Sequence, residues 1–265
     1  MTCSLSPPSN LRRYGAPPYR VAVLHGGPGA AGEMAPVARE LAASQGVLEP
    51  LQTADSVSGQ IGELAACLAA HGQPPMAVVG YSWGAWLAIL LAARHPELVA
   101  RLVLVSSGPL TEAHAASIME TRLGRLSPQE RRETTALLAA GERMGEAGLA
   151  RLGALCNRAD TYAPAPDTPD APVDFQATIF ARVWPEAAAL RRSGELLRLA
   201  STIGCPVRAI HGLYDPHPAA GVRDPLAACL ADFACTGLPR CGHTPWRERQ
   251  ARELFFQALC AALQE

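Results

Sequence analysis

A serine lies between two glycines at the point where an apolar strand pattern meets a small-residue, leucine-rich helix pattern. The strand pattern covers residues 76–81, the corner reads Gly80-Tyr81-Ser82-Trp83-Gly84, and the helix pattern follows directly. A residue at such a corner adopts a strained backbone conformation, and bulky neighbours two positions away would collide with the strand and the helix. The two glycines therefore predict a tight turn that holds the Ser82 hydroxyl at the carboxyl edge of a sheet, where ligands bind in α/β proteins.

Apolar runs of strand length alternate with helical patterns on both sides of this corner. The predicted strands are residues 19–26, 46–52, 76–81, 100–107, 205–212 and 231–239. The predicted helices between and after them are residues 35–44, 58–72, 83–95, 222–230 and 245–264. This alternation predicts right-handed βαβ crossovers and a parallel sheet that is covered by helices on both faces.

The alternation stops between residues 108 and 203, where the patterns are helical and no convincing strand occurs. A Pro- and Asp-rich stretch at residues 159–174 interrupts these helices and predicts an extended loop or a mobile flap. We therefore expect an α/β core domain built from residues 1–107 and 204–265, with a helical cap inserted at residues 108–203.

Charge and hydropathy exclude two classes of partner. The formal net charge is −1 over 265 residues, which leaves no basic footprint for nucleic acid or for an anionic membrane. No apolar run reaches the roughly 18 residues of a membrane span, and the N-terminal residues lack the apolar segment of a signal peptide. We expect a cytoplasmic protein whose partner is a small molecule; the oligomeric state leaves no mark in the sequence.

The eight cysteines are scattered, and no C-x-x-C pair occurs. Several lie in apolar segments, such as Cys67 and Cys260, and free cysteines in a reducing compartment behave as small hydrophobic residues. Free thiols are therefore expected rather than a disulfide framework or a zinc site. Cys241 is of interest because it lies close to a histidine of the candidate site.

A serine hydroxyl becomes a useful nucleophile only when a base removes its proton and an acid orients that base. Asp215 lies just beyond the predicted strand at 205–212, and His243 lies just beyond the last predicted strand. We predict Ser82 as the nucleophile, His243 as the base and Asp215 as the orienting acid.

Other residues compete for these roles. His217 shares a loop with Asp215, and that closeness in sequence argues against a hydrogen bond between the two side chains, so His217 is predicted to bind substrate instead. Asp224 is a second acid, which helix capping explains. His211, Asp215 and His217 could also be a metal-ligand set, against which we favour a hydrogen-bonded loop without metal.

The oxyanion of a tetrahedral intermediate needs two preorganised backbone N–H groups. Trp83, the residue after the nucleophile, offers the first. The second is predicted in His25-Gly26-Gly27-Pro28-Gly29 after the first strand, at Gly27 in preference to Gly26, because glycine lets the backbone approach a ligand closely.

The HGGPG and GYSWG motifs, the Gly-Leu-Tyr-Asp loop that ends at Asp215, and the Gly242-His243 pair together resemble the α/β-hydrolase superfamily. In that superfamily the serine, the acid and the histidine follow one another in this order. HGGPG with tryptophan after the nucleophile is most similar to the proline iminopeptidase branch. The resemblance implies an α/β-hydrolase fold with a mostly parallel sheet of about six to seven strands, a helical cap, and no metal or organic cofactor.

Iminopeptidases of this branch hold the free amino group of the substrate with acidic cap residues, typically in a Trp-Glu pair. The resemblance implies that role for Trp184 and Glu186, which occur here as Trp184-Pro185-Glu186. The residues alone allow a second interpretation of Glu186, a solvent-exposed glutamate at a helix start, because Pro185 suits a first helical turn.

These features predict a serine hydrolase that cleaves a small ester, an amide or a short peptide through an acyl-enzyme. It would act as a carboxylesterase or as a prolyl-iminopeptidase-like aminopeptidase. Because the base must be neutral, activity should rise with pH through roughly 6–7. The alternative belongs to another class: a small-molecule binding protein or receptor that keeps the fold and the triad but turns substrate over poorly.

Overall fold

The structure, a computed structural model, describes residues 10–166 and 173–264. Its strands are β1 (Leu11–Tyr14), β2 (Tyr19–Leu24), β3 (Ala30–Ala31), β4 (Gly46–Pro50), β5 (Met76–Tyr81), β6 (Val99–Val105), β7 (Asp174–Phe175), β8 (Val207–Gly212) and β9 (Phe233–Leu238). Its helices are α1 (Ala35–Leu41), α2 (Val57–His71), α3 (Trp83–Arg94), α4 (Glu112–Ala115), α5 (Ile118–Arg125), α6 (Pro128–Ala140), α7 (Gly145–Asp160), α8 (Ala177–Arg192), α9 (Glu195–Ala200), α10 (Ala220–Cys229) and α11 (Arg252–Gln264).

The large sheet has the strand order β1-β4-β2-β5-β6-β8-β9. β1 pairs antiparallel with β4, and every other neighbouring pair in this sheet is parallel. The mostly parallel sheet predicted from the sequence is therefore confirmed, and its seven strands agree with the expected number.

Both faces of this sheet are buried, which explains why its strands are continuously apolar. Val78 of β5 packs in the cluster that contains residues of α2 and α3, whereas the adjacent Val79 packs with Val37 of α1 and Phe255 of α11. The central helix α3 is buried on all sides because it lies between the sheet and α9. No helix in the described part of the chain is both long enough and apolar enough to span a membrane.

Helices α4 to α9 occupy the chain between β6 and β8, as the helical patterns predict. The strand β7 is an exception, because it pairs antiparallel with β3 just after the glycine-rich loop. A strand of two residues is too short to leave a period-two pattern in a sequence. The helical insertion is confirmed, and its division from the core as a domain at residues 108 and 203 stays a prediction.

Some element boundaries differ from the prediction. The sequence pattern gives no sign of β1, an edge strand whose residues LRRY are half polar. Pro185 lies inside α8 rather than in its first turn, so the helix-start interpretation of Glu186 is wrong. The final helix begins later than predicted, since a 3-10 turn at Pro245–Arg247 precedes α11. In the predicted loop at 159–174, α7 extends to Asp160, and residues 167–172 lie outside the described residues.

Candidate active site

Ser82 occupies a strained corner between β5 and α3, as the sequence predicts. Its backbone has φ 52° and ψ −112°, a conformation that residues with a side chain rarely adopt, and its N–H donates to the Val105 carbonyl at 3.0 Å. A Cβ added at Gly80 would collide with the Gly84 carbonyl, and a Cβ added at Gly84 would collide with the Leu24 carbonyl. The two glycines therefore allow the strand, the helix and the serine to meet at this point.

Three side chains from separate strand ends meet beside this corner. The Ser82 hydroxyl lies 3.1 Å from Nε2 of His243, and Nδ1 of His243 lies 2.7 Å from Oδ2 of Asp215. Asp215 follows β8 and His243 follows β9, at the carboxyl edge of the sheet. Because an ionised carboxylate only accepts hydrogen bonds, Nδ1–H donates to Asp215, and Nε2 accepts the hydroxyl proton of Ser82.

His217 holds the second oxygen of the Asp215 carboxylate. Its Nδ1–H donates to Oδ1 at 2.8 Å, and its backbone N–H donates to the same oxygen at 2.9 Å. The sequence argument against a bond between these side chains is wrong, because the loop turns the His217 ring back over the acid. The ring also stacks on His243, with centroids 4.4 Å apart. The carbonyl of His217 accepts a hydrogen bond from Nε2 of His211 at 2.7 Å, which fixes the loop.

Asp215, His217 and His243 also place atoms that could ligate a metal within 4.8 Å of one another. Each carboxylate oxygen, however, lies 2.7–2.8 Å from an imidazole Nδ1, which is the length of a charge-assisted hydrogen bond. The nitrogens that would have to face a shared metal are thus donating to the carboxylate. The geometry is that of a hydrogen-bonded network.

Burial and neighbouring charges shift the pKa values of Asp215, His243 and His217 in different directions. Burial raises the pKa of Asp215, but His243 and His217 outweigh it and hold the net pKa well below the ordinary range. Burial lowers the pKa of His243, but Asp215 outweighs it, so the net pKa is raised above the ordinary 6.5. For His217 burial prevails over Asp215, and the pKa is lowered from 6.5. At neutral pH Asp215 is therefore ionised and His217 is neutral.

The loop after β2 brings Gly27 to the cavity that Ser82 borders. Gly27 borders the same cavity as Ser82 and Trp83 and has a φ of 35°. A Cβ at Gly26 would lie 2.7 Å from the Tyr81 ring and 2.7 Å from a carboxylate oxygen of Glu33, so this loop has no space for a side chain there. Gly27 and Trp83 thus line the same cavity as the serine, and the role of their N–H groups as an oxyanion hole stays a prediction.

Two buried carboxylates that sequence reasoning missed fix the loop that carries His243. The backbone N–H of His243 donates to the Asp160 carbonyl at 2.9 Å, and the Asp160 side chain accepts two hydrogen bonds from Arg122, at 2.8 and 2.6 Å. Glu248 accepts the Gly242 N–H at 2.8 Å and two backbone N–H groups that follow α7 at 2.7 Å. No local pattern in the sequence indicates these bonds, because all of them except the bond from Gly242 to Glu248 join residues at least 38 positions apart in the chain.

A cavity of about 720 Å³ opens beside Ser82 and His243. Most of its walls are apolar side chains of α3, α5, α6, α7 and α8. Trp184, which the sequence predicts to bind substrate, lies on this wall and stacks on Phe180 and on Trp86, each at 6.0 Å between centroids. His217, the other predicted substrate-binding residue, also lines it. The volume is typical of a pocket for a small organic molecule.

A second cavity, of about 240 Å³, also borders Ser82 and His243. Its lining is mainly polar and includes Glu33, Asn157, Asp160, Thr244 and Arg247. Burial raises the pKa of Glu33, against the opposing charges of His243 and Arg247. The serine and the histidine therefore border one apolar and one polar cavity.

Glu186 does not reach either cavity. Its carboxylate accepts the backbone N–H of Val57 at 2.8 Å, at the first residue of α2, and it is a lining residue of neither cavity. A carboxylate bonded to the N-terminus of a helix is stabilised there by the unpaired N–H groups and the helix dipole. Contrary to the prediction, the structure does not pair Glu186 with Trp184 at the cavity wall.

Two further candidates from the sequence stay outside the reacting group. Asp224 pairs with Arg223 at 2.7 Å on the exposed face of α10. Cys241 is buried, its Sγ donates to the Gly242 carbonyl, and burial raises the pKa of its thiol. It is a free thiol, as are the other cysteines of the described residues, whereas Cys3 lies outside them.

Comparison with known proteins agrees with this architecture. Residues 52–179 match the alpha/beta hydrolase fold family. A pimeloyl-(acyl-carrier protein) methyl ester esterase of Chromobacterium violaceum is 28% identical over 206 residues, which cover 74% of this chain and 73% of that protein.

Two solved structures superpose over almost the whole chain. VinJ does so with a TM-score of 0.72 and 20% identity, covering 96% of this chain and 94% of that one. Proline iminopeptidase of Mycobacterium smegmatis gives a TM-score of 0.66 and 20% identity, covering 96% and 95%. The sheet order, the helical insertion and the matched region define an α/β-hydrolase fold. Over residues 52–179 the chain is similar to members of the α/β-hydrolase superfamily.

Proposed function

We propose that the protein is a serine hydrolase that cleaves a small ester or amide through a covalent acyl-enzyme. The observation that carries the proposal is the hydrogen-bonded chain from the Ser82 hydroxyl through His243 to Asp215, at 3.1 and 2.7 Å. A histidine held in this way by an ionised acid can remove the serine proton and then carry the positive charge. The esterase relative supports hydrolysis of an ester, because its name states that it acts on a methyl ester.

The steps follow from the positions of these groups. His243 takes the hydroxyl proton as Oγ of Ser82 bonds to the carbonyl carbon, and Asp215 stabilises the imidazolium. The N–H groups of Gly27 and Trp83 donate to the oxyanion. His243 then passes the proton to the leaving oxygen or nitrogen, the bond to the leaving group breaks, and the acyl group remains on Ser82. A water molecule deprotonated by His243 releases the acid and restores the serine, so the steps need no metal or organic cofactor.

We also propose that the chain lies close to the proline iminopeptidase-like branch of the superfamily. The HGGPG and GYSWG motifs support this placement, and the iminopeptidase structure has the same fold. Esters and N-terminal aminoacyl amides are therefore the two substrate classes to compare.

A panel of carboxylic esters and aminoacyl p-nitroanilides tests the proposal. With the best substrate of the panel, Ser82→Ala should lower kcat by about 10⁴-fold or more, because the nucleophile is lost. Ser58→Ala, on the exposed face of α2, is the matched control and should keep wild-type activity. Full activity in Ser82→Ala would refute the mechanism.

The same panel separates the proposal from the alternative class. Covalent labelling of Ser82 by a fluorophosphonate, without turnover of any ester or amide, would favour the binding protein or receptor that the sequence leaves open. Repeated turnover that depends on Ser82 would exclude it.

A further inference from the structure

Several large apolar side chains at the 720 Å³ cavity are exposed to solvent. Leu138, Phe175 and Trp184 are 40%, 44% and 37% exposed, and all three line this cavity. Exposed apolar side chains gathered on a concave surface mark a binding site for an apolar group, because filling the site removes their area from water.

One wall of the cavity is a row of five aromatic rings. The row starts at Trp83, beside the serine, and continues through Trp86, Trp184 and Phe180 to Phe175, with successive centroid distances of 6.4, 6.0, 6.0 and 5.9 Å. We call these five residues the aromatic row. Because it runs without a gap from the nucleophile to an exposed ring, it fits an extended apolar group better than a compact one.

The other walls of the cavity are mainly aliphatic. Ile118 and Met119 of α5, Leu138 of α6, and Leu149 and Leu152 of α7 contribute to them. Methionine and leucine side chains adapt to a flexible alkyl chain without requiring a polar partner. The cavity thus offers apolar contact along its length on more than one side.

Charge at this cavity disfavours a substrate with a free amino group. Among the described residues no carboxylate lines it, and its charged side chains other than histidines are Arg122 and Arg191. Each guanidinium is bonded to a carboxylate that is not part of the wall. Glu186 is bonded to the start of α2. An ammonium group bound in this cavity would therefore lose its hydration next to two guanidinium groups and gain no anion from the cavity wall.

The polar cavity of 240 Å³ suits the leaving group. Thr244 and Arg247, which follow His243 in the chain, line it together with Glu33. The alcohol that His243 protonates and the water that replaces it are both polar, and they lose less solvation in a polar cavity than in an apolar one. This assigns the alcohol side of the scissile bond to the small cavity and the acyl side to the large one.

We infer that the substrates are uncharged esters of a small alcohol whose medium-length, unbranched acyl chain binds along the aromatic row. The inference rests on the proposed serine-hydrolase function and selects the esterase over the aminopeptidase. It also fixes which side of the scissile carbonyl carries the apolar group.

Two pairs of isomeric esters test it, with proton release as the readout. Methyl butanoate and propyl acetate have one composition, and methyl octanoate and heptyl acetate have another, so each pair differs only in which side of the carbonyl carries the chain. Each buried methylene strengthens binding by about 0.8 kcal/mol, which is about fourfold in affinity. The four additional methylenes of methyl octanoate would therefore raise kcat/KM about 250-fold over methyl butanoate if all were fully buried, and on the order of 10–100-fold in an open cavity where burial is partial. Heptyl and propyl acetate should differ by less than about threefold.

Three other outcomes of this comparison would overturn the inference. Equal rates for the two methyl esters, a rate increase confined to heptyl acetate, or preferred cleavage of L-prolyl p-nitroanilide would each do so, and Ser82-dependent turnover in any of these cases would leave the proposed function intact. If no ester is cleaved, the inference fails, and Ser82-dependent turnover of the aminoacyl p-nitroanilides then decides the proposed function separately.

A variant of the aromatic row gives a second measurement. Trp184→Ala removes the middle ring and should lower kcat/KM for methyl octanoate about tenfold, while methyl butanoate changes by less than about twofold. Trp184→Phe should restore most of the loss. Leu254→Ala, a similarly exposed apolar residue on α11 that lines neither cavity, is the control and should change neither rate. Equal loss with both esters would contradict the assignment of the acyl chain to this row.

Discussion

Asp215 has the most hydrogen bonds of the candidate catalytic side chains, and it is completely buried. Oδ2 accepts from His243, Oδ1 accepts twice from His217, and Nε2 of His211 lies 3.5 Å from Oδ2. A carboxylate held at both oxygens cannot rotate away from the base. The position of Nε2 of His243 relative to Ser82 is therefore fixed by a residue that does not touch the serine.

The raised pKa of His243 determines how the rate depends on pH. The protonated imidazole cannot accept the Ser82 proton, so the rate falls as the pH decreases through this pKa, and the midpoint of kcat/KM should lie above 6.5. Asp215→Asn removes the charge that raises the pKa, so the midpoint should move to lower pH and kcat should fall by about 10⁴-fold. Profiles of kcat/KM from about pH 5 to 9 test both shifts. A wild-type midpoint well below 6.5 would contradict the account.

His217 is a positioning residue in this account as well as part of the cavity wall. His217→Phe keeps a ring to stack on His243 but removes the side-chain hydrogen bond to Asp215. The Asp215 carboxylate, with one donor fewer, should attract the His243 proton more strongly and raise the pKa of His243. The acid limb of the kcat/KM profile, where the rate falls as the pH decreases, should therefore move to higher pH, and kcat should fall about tenfold.

The matched control is His71→Phe, at the exposed end of α2, which should change neither parameter. If His217→Phe instead raises KM and leaves kcat and the acid limb unchanged, His217 only contacts substrate and the positioning role is wrong.

At the scale of elements, the turn at Ser82 depends on the close approach of β2, β5 and α3. A Cβ at Gly84 would strike the carbonyl groups of Leu24 and His25, so the backbone itself would have to move. Because the elements are this close, only glycine fits at positions 80 and 84, and this requirement is visible in the sequence as the G-x-S-x-G pattern.

Gly84→Ala should therefore lower the free energy of unfolding by about 1–3 kcal/mol through overpacking. Gly62→Ala on α2 is the matched control, since a Cβ there meets no atom within 4 Å and alanine favours a helix by about 1 kcal/mol. Thermal unfolding should show a lower Tm for Gly84→Ala and an unchanged or higher Tm for Gly62→Ala. The same Tm for both variants would contradict the steric explanation.

At the scale of the whole molecule, the helical insertion contacts both loops that flank the serine. Asp160 at the end of α7 accepts the His243 N–H, and the Gln176 N–H before α8 donates to the Gly29 carbonyl at 2.8 Å. The pairing of β3 with β7 strengthens the second connection. The insertion therefore forms the apolar cavity and also fixes the loops that carry His243 and Gly27.

The sequence predicts those parts of the site that strand ends and turn chemistry determine. Ser82, Asp215 and His243 each follow a recognisable strand, and parallel strands bring their carboxyl ends to one edge of a sheet. The structure also contains features that only long-range packing determines. The bond of Asp160 to His243 and the bonds of Glu248 to the residues after α7 join segments far apart in the chain, and the contact of Glu186 with α2 depends on how α8 lies on the core. Local spacing carries no information about such contacts, which is why Glu186 was expected at the substrate.

The central claim is that Ser82 is the group that reacts with the substrate carbonyl. Its most direct test is mass spectrometry of the protein after reaction with a fluorophosphonate, followed by peptide mapping. The account predicts one phosphonyl group per chain, located on Ser82, with hydrolytic activity lost in proportion to labelling. Full loss of activity with the label on another residue, or hydrolysis that persists after Ser82 is fully labelled, would contradict it.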